Sequence, residues 1–134
     1  GRGTATPFEV LGAPWIDGKA LAHRLNARNI PGVRFEATRF TPTESRFRQQ
    51  ICQGIRLHLT DRSLLDSPRL GIELIHALHG LYPQAFHLDE TAPAIGSREV
   101  MEALHEARDP RAIAESWQAS LTRFRQLREM YLLY

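Results

Sequence analysis

The chain has 134 residues and a mass of 15.3 kDa, the size of one ordinary domain. Hydrophobic residues make up 43% of it and charged residues 24%, which excludes a disordered or fibrous chain. No apolar run approaches the ~20 residues of a membrane-spanning helix. The single cysteine, Cys52, excludes an internal disulfide and a cysteine-based zinc site.

The charge is distributed unevenly along the chain. Residues 1–67 carry a net charge of +4, and the rest carry −2. The basic half suits an anionic partner. It lacks the dense basic stripe with interleaved aromatic residues that is typical of nucleic-acid binding, so no nucleic-acid partner is expected.

The first part of the chain predicts strands around one helix. Residues 7–16 read as a short strand that ends in a turn. Asp17 then caps a helix whose inner face carries Leu21 and Leu25, and Pro31-Gly32 ends it.

Apolar and polar residues alternate over 33–38 and again over 55–60, which predicts two half-buried strands. An antiparallel pairing is plausible across the long polar link of about residues 41–52. Arg39-Phe40 breaks the alternation, which suggests a bulge.

The second part predicts helices. Ser67-Pro68 supplies a capping side chain and a first-turn proline for a helix that ends at Pro83. Residues 84–96 read as loop, and Ser97 caps a short helix through Leu104.

Asp109-Pro110 starts a long amphipathic helix, whose apolar residues step by three or four: Ile113, Trp117, Leu121, Phe124, Leu127 and Tyr131. The apolar ending, 131–134, is expected to dock on the core, and the chain's natural end is expected there. The fold class is therefore α+β, with a small, mainly antiparallel sheet packed against helices on one side and a long C-terminal helix.

If the two strands pair with their apolar faces inward, their polar residues share the outer face. These are Arg34, Glu36, Thr38, Arg56, His58 and Thr60. The face is either a solvated sheet surface or a surface that meets an anionic ligand or another domain.

Other chemistry-bearing residues give weaker patterns. His76 and His79 lie three apart on a helix, but no acidic or cysteine ligand accompanies them at a known spacing. Cys52 reads as a packed, inert thiol, and Asp61 as a turn residue that binds local amides. Trp117 reads as core. Trp15 is the better candidate of the two for an exposed platform that stacks on a sugar ring, although a core position is favoured for it too. No metal and no cofactor are predicted.

Short motifs follow one another in a fixed order along the whole chain. They are Gly1-Arg2-Gly3-Thr4, Pro7-Phe8-Glu9, Gly12-Ala13-Pro14-Trp15, Pro31-Gly32-Val33, Phe40-Thr41-Pro42, Cys52-Gln53-Gly54, Thr60-Asp61-Arg62, Leu81-Tyr82-Pro83, Ser116-Trp117 and Tyr131-Leu132-Leu133-Tyr134. This ordered set resembles, essentially end to end, the C-terminal domain of the exo-β-N-acetylmuramidase NamZ family, formerly the domain of unknown function DUF1343.

The resemblance implies that residues 1–134 are a single domain of a larger two-domain bacterial protein. The absent N-terminal domain would be Rossmann-like and would carry the catalytic glutamates, so this chain alone is expected to be inactive. The implied glycoside hydrolase removes terminal non-reducing N-acetylmuramic acid from muropeptides or other peptidoglycan fragments, in an extracytoplasmic location.

This domain would then form one wall of the interdomain cleft, with its own N-terminal catalytic domain as partner. No catalytic residue can be carried over to this chain. The candidate cleft or substrate-binding residues are Arg2, Thr4, Trp15, Arg56, Asp61 and Arg62. The alternative is a non-catalytic module that binds glycan or stabilises its neighbour.

Overall fold

The computed structural model describes residues 1–132 and divides the chain into two compact units, 1–88 and 89 onwards. The first unit contains β1 (Val10–Ala13), α1 (Gly18–Ala27), β2 (Val33–Phe40), β3 (Cys52–Leu59) and α2 (Ser67–Leu81). A 3₁₀ turn (Leu88–Thr91) leads to α3 (Ala92–Ile95), α4 (Arg98–His105), α5 (Pro110–Ser116) and α6 (Gln118–Glu129). The predicted α+β class is confirmed.

The sheet has three strands in the order β1-β3-β2, and both pairings are antiparallel, as predicted. The bulge predicted at Arg39-Phe40 is wrong, because Arg39 pairs with Gln53 and Phe40 with Cys52 in unbroken register. The alternation breaks for another reason. A Cβ on Gly12 would lie 2.8 Å from the Phe40 ring, so this aromatic ring fills space that the glycine leaves on the outer face.

Helix α1 begins where the sequence predicts and lies directly on the sheet. The Asp17 carboxylate accepts hydrogen bonds from the amides of Lys19, at 2.9 Å, and Ala20, at 3.1 Å. A Cβ on Gly18 would lie 2.3 Å from the carbonyl oxygen of Gly54, so only glycine lets the first turn approach β3 this closely.

The core of the first unit lies between one face of the sheet and helices α1 and α2. Leu21 and Leu25, the predicted inner face of α1, are fully buried. The other buried apolar residues of this cluster are Ala13, Ile16, Ala22, Ile30, Val33, Phe35, Ile55, Leu70, Ala77 and Leu78. Burial of a large apolar side chain contributes about 1.5–3 kcal/mol, so this cluster is the main source of the unit's stability.

Helix α2 starts with Ser67-Pro68, but its cap lies one residue earlier than predicted. The Asp66 carboxylate accepts the Arg69 amide at 3.1 Å. An Asp and a Ser stand next to each other here, and both are strong N-cap residues, so the local pattern did not decide between them.

The segment 84–96 is not all loop, since the 3₁₀ turn and α3 lie within it. The predicted caps of the second unit are confirmed. Ser97 accepts the amide of Val100 at 3.4 Å and Asp109 that of Arg111 at 2.7 Å. The buried residues here are Val100, Met101, Ala103, Leu104, Pro110, Ile113 and Ala114.

The predicted C-terminal helix is present but interrupted at Trp117, which separates α5 from α6. The Ser116 hydroxyl donates to the carbonyl of Ile113 at 2.7 Å, and that of Ser120 to the carbonyl of Trp117 at 2.9 Å. Serine side chains that bind backbone carbonyls in this way bend helices, which accounts for the interruption.

Within residues 1–132, the apolar side of α6 is largely uncovered. Trp117, read as core, is half-buried, whereas Phe124 is 57% and Leu127 49% exposed. The expected docking of the tail is wrong for Tyr131 and Leu132, which are 75% and 44% exposed. Residues 133 and 134 lie outside the described part of the chain. Periodicity shows that one face of a helix is apolar, but it does not show what covers that face.

Candidate functional site

The N-terminal segment, residues 1–9, is held against the β2–β3 loop, residues 41–51. The carbonyl of Gly3 accepts two hydrogen bonds from Thr43, from its amide at 2.8 Å and its hydroxyl at 3.1 Å. Gly3 has φ +75, and a Cβ there would lie 2.7 Å from the backbone nitrogen and oxygen of Glu44. Only glycine fits this turn, which explains its place in the opening motif.

Thr4 and Arg2 lie in the same turn but differ in exposure. The Thr4 hydroxyl donates to the carbonyl of Gly1 at 2.6 Å and accepts the amide of Thr6 at 3.3 Å, so Thr4 shapes the backbone. Arg2 is exposed. The fixed turn therefore presents the Arg2 side chain to solvent.

Arg56 connects the N-terminal segment to the outer face of the sheet. Its guanidinium lies 3.1 Å from the Glu9 carboxylate and 3.5 Å from the Thr6 hydroxyl. The carbonyl of Glu9 also accepts the amide of Leu57 at 2.7 Å, which continues the β1–β3 pairing. Glu9 therefore offsets part of the charge of Arg56 and fixes the position of its side chain. The sequence analysis did not predict this pairing.

The outer face carries the polar residues predicted for it. Arg34 pairs across the strands with His58, and Glu36 with Arg56. His58 Nε2 lies 2.9 Å from a Glu36 carboxylate oxygen, and both side chains are largely exposed. Glu36 thus lies directly across from the oppositely charged Arg56 and diagonally from His58, an arrangement that suits a solvated sheet face, the simpler of the two predicted interpretations.

Trp15 is not a free platform. It is half-buried and packs edge-on against Tyr82, with 5.4 Å between ring centroids and 62° between the ring planes. The Tyr82 hydroxyl accepts the Asp17 amide at 2.9 Å, and burial raises the pKa of this phenol. Trp15 therefore helps to fix the start of α1, and its predicted contact with sugar stays a prediction.

Asp61 and Arg62 follow β3 in an exposed turn. The Asp61 carboxylate accepts hydrogen bonds from the Ser63 hydroxyl at 2.6 Å and the Ser63 amide at 2.8 Å, which lower its pKa. The predicted turn role of Asp61 is confirmed.

The structure separates the candidate residues into two groups. Arg2, Thr4 and Trp15 lie at the edge where β3 begins, whereas Asp61 and Arg62 follow its other end. Eight residues of extended strand span roughly 23 Å at about 3.3 Å per residue. Arg56 lies in between, so the candidate residues do not share one compact site.

One buried charge was missed by sequence analysis. Glu73 on α2 is 1% exposed and binds Arg28 through two contacts, from Nε at 2.8 Å and Nη2 at 3.1 Å. Its position three residues after Leu70 and four before Ala77, on an apolar side of the helix, was a usable sequence signal that it faces inward. This bidentate salt bridge is structural, because it joins the end of α1 to α2.

The histidines and the cysteine offer little chemistry. His76 lines a cavity of about 280 Å³ together with Arg24, Arg28 and Glu73. Residues 1–132 contain no group of three His, Cys, Asp or Glu side chains placed to hold a metal ion. Burial raises the pKa of the Cys52 thiol, which keeps it in the unreactive neutral form.

These observations define a small α+β domain with a three-stranded antiparallel sheet, a fixed N-terminal turn and candidate residues spread over its surface. The sequence model of one known family, described as the C-terminal domain of exo-β-N-acetylmuramidase NamZ, matches residues 1–134. The chain belongs to this NamZ C-terminal family, as the resemblance predicted.

A curated relative supports the same assignment. The peptidoglycan β-N-acetylmuramidase NamZ of Bacillus subtilis is 34% identical over 137 aligned positions, which cover 100% of this chain and 33% of the relative. The crystal structure of a DUF1343 family protein from Bacteroides fragilis shows the same fold, with a TM-score of 0.83 and 24% identity over 98% of this chain and 36% of that one. The chain thus spans about a third of each.

Proposed function

We propose that this chain is the C-terminal domain of a bacterial exo-acting peptidoglycan β-N-acetylmuramidase. The observation that carries the proposal is the match of the whole chain to the NamZ C-terminal family, together with a relative named as a peptidoglycan β-N-acetylmuramidase. The full-length enzyme removes terminal non-reducing N-acetylmuramic acid outside the cytoplasm. In residues 1–132, no helix is both long enough and apolar enough to cross a membrane.

Catalysis resides in an N-terminal domain that is not part of this chain. Glu73, the one buried carboxylate among the described residues, is bound by Arg28 through two hydrogen bonds. A catalytic carboxyl group must reach the substrate, whereas Glu73 is 1% exposed and both of its carboxylate oxygens are bound by the Arg28 guanidinium. This arrangement supports a structural role for Glu73.

The cleft wall is formed by the edge where β3 begins. Arg2 is exposed there, in a turn fixed by the two Thr43 hydrogen bonds to Gly3. Because N-acetylmuramic acid bears a lactyl carboxylate, an arginine on a rigid turn is a suitable partner for it. Ligand sites commonly form in clefts between domains, which also favours this edge.

The division of labour is tested with a chromogenic β-N-acetylmuramide. We expect the full-length protein to release the aglycone and the 134-residue chain to release none. Turnover by the chain alone would contradict the proposed location of catalysis. Absence of turnover by the full-length protein would contradict the proposed reaction.

The cleft wall is tested in the full-length protein with Arg2→Ala and the matched variant Arg98→Ala, at an exposed arginine outside the candidate set. Loss of a charge-assisted contact to the substrate carboxylate lowers kcat/KM by about tenfold or more. We expect this loss for Arg2→Ala at an unchanged Tm, and little change for Arg98→Ala. A lower Tm with unchanged kcat/KM for Arg2→Ala would instead favour the domain-stabilising alternative.

A further inference from the structure

Helix α6 and its two ends carry an apolar stripe whose first residues, Trp117 and Leu121, are half-buried and whose later residues are left open by the described part of the chain. The stripe consists of Trp117, Leu121, Phe124, Leu127 and Tyr131, which step by four, three, three and four residues and so share one side of the helix. No residue of α6 is buried. Two of its positions, Phe124 and Leu127, are 57% and 49% exposed, and Tyr131, just beyond the helix, is 75% exposed.

The exposed apolar residues of α6 recur along one helix, whereas the other exposed large apolar residues, Phe8, Ile51, Leu59 and Leu64, lie in separate segments. Scattered exposed apolar residues are ordinary, but a contiguous stripe with polar flanks marks an interaction surface. The flanks of the stripe include Arg123, Arg125 and Gln126, and the helix as a whole carries three arginines and one glutamate. An isolated helix of this length is marginal in water, so its stability in the full-length protein depends on what its apolar side packs against.

We propose that the α6 stripe is the surface by which this domain packs against the polypeptide that precedes it in the full-length protein. This inference rests on the proposed function, because it takes the protein to be longer than this chain. In the two related proteins, this region is only 33% and 36% of the length. The family is defined as a C-terminal domain, so the remainder lies before it.

The size of the stripe favours a partner within the same polypeptide. Large apolar side chains bury roughly 150–250 Å² each when covered, so a few that are half exposed offer roughly 300–500 Å². A stable complex of separate chains needs about 800 Å² on each side. Contacts between domains of one chain can be smaller, since covalent connection gives the partner an effective concentration in the millimolar range.

Cysteine labelling of the full-length protein tests this directly. Phe124→Cys and Leu127→Cys place a thiol in the stripe, and the matched controls Arg123→Cys and Gln126→Cys place one on the polar side. Maleimide labelling of each site is followed by peptide mass spectrometry, without lipid. We expect the stripe cysteines to react about tenfold more slowly than the controls, because a covered thiol reacts only when the protein opens locally. In denaturant, all four cysteines should react at the same rate.

Each other outcome overturns the proposal in a distinct way. Equal labelling of all four sites shows that nothing covers the stripe. A difference that disappears on hundredfold dilution shows that a second copy covers it, and one that appears only with anionic vesicles shows a membrane surface. Muramidase activity in the same preparations keeps the proposed function separate, because it can persist while the labelling result fails.

Unmodified protein supplies a second measurement in case the cysteine variants misfold. Hydrogen exchange of the full-length protein should show protection of the amides in 118–129 comparable to that of α4. Exchange at the rate of an unstructured peptide would contradict the proposal.

Discussion

The two units of this chain have similar apolar patterns but use them differently. In residues 1–88, helix α1 places Leu21 and Leu25 against the sheet, where both are fully buried. In residues 89–132, helix α6 places Phe124 and Leu127 at the same kind of spacing, and both are largely exposed. A helix buries its apolar stripe only if another element presents a complementary face, so spacing identifies a surface and not its burial.

The largest expected effect contrasts one leucine from each unit. Leu25→Ala removes a fully buried side chain and leaves a cavity, so we expect it to lower the free energy of unfolding of the chain by about 3 kcal/mol. Leu127→Ala should change it by less than about 0.5 kcal/mol, because that side chain is half exposed. Urea denaturation followed by circular dichroism measures both. Equal losses of unfolding free energy in the two variants would show that α6 is packed against other residues of this chain, and the contrast between the two units would then be wrong.

The next largest effect on stability contrasts two side-chain pairs, Arg28–Glu73 in the first unit and His105–Asp89 in the second. Arg28→Ala leaves Glu73, which is 1% exposed, as a buried carboxylate without its bidentate partner. The arginine side chain is 26% exposed, so we expect a loss of about 2 kcal/mol, below the full cost for a buried pair.

His105→Ala removes the contact with Asp89 in the second unit, where both side chains are at least half exposed. We expect it to cost less than about 0.5 kcal/mol. The same denaturation experiment compares the two variants. If Arg28→Ala proves as mild as His105→Ala, water reaches Glu73 and the pair does not join α1 to α2.

The smallest contrast concerns two glycines with positive φ, Gly3 at +75 and Gly96 at +67. A Cβ on Gly3 meets the backbone of Glu44 at 2.7 Å, whereas one on Gly96 meets nothing within 4 Å. Alanine at Gly96 should cost about 1 kcal/mol for the backbone conformation alone. We expect Gly3→Ala to cost more and to shift the amide resonance of Thr43. An unshifted Thr43 amide in Gly3→Ala would show that the N-terminal turn is not held as described.

Local rules predicted much of the local structure in both units. Asp17, Ser97 and Asp109 cap helices as expected, because a capping oxygen acts on amides only two or three residues away. Alternation identified β2 and β3, because successive side chains of a strand point to opposite faces. The cap predicted at Ser67 was wrong by one residue, because Asp66, an equally good capping residue, stands directly before it.

Non-local contacts defeated the same rules. The bulge at Arg39-Phe40 was expected from the alternation within β2 alone. The Phe40 ring is instead accommodated by Gly12 on β1, a strand that does not pair with β2. The candidate site residues were grouped by a resemblance in sequence, and the register of the strands spreads them from one end of β3 to the other. The Glu9 partner of Arg56 is 47 residues distant along the chain.

By itself, the sequence determined the α+β class, the family, three of the helix caps and the polar residues on the outer face of β2 and β3, because all of these depend on neighbours within a few residues or on an ordered set of short motifs. Only the tertiary structure decided the pairing of Glu73 with Arg28, the contact of the N-terminal turn with the β2–β3 loop and the exposure of the α6 stripe. Each of these depends on which distant segments meet, and residue spacing carries no information about that.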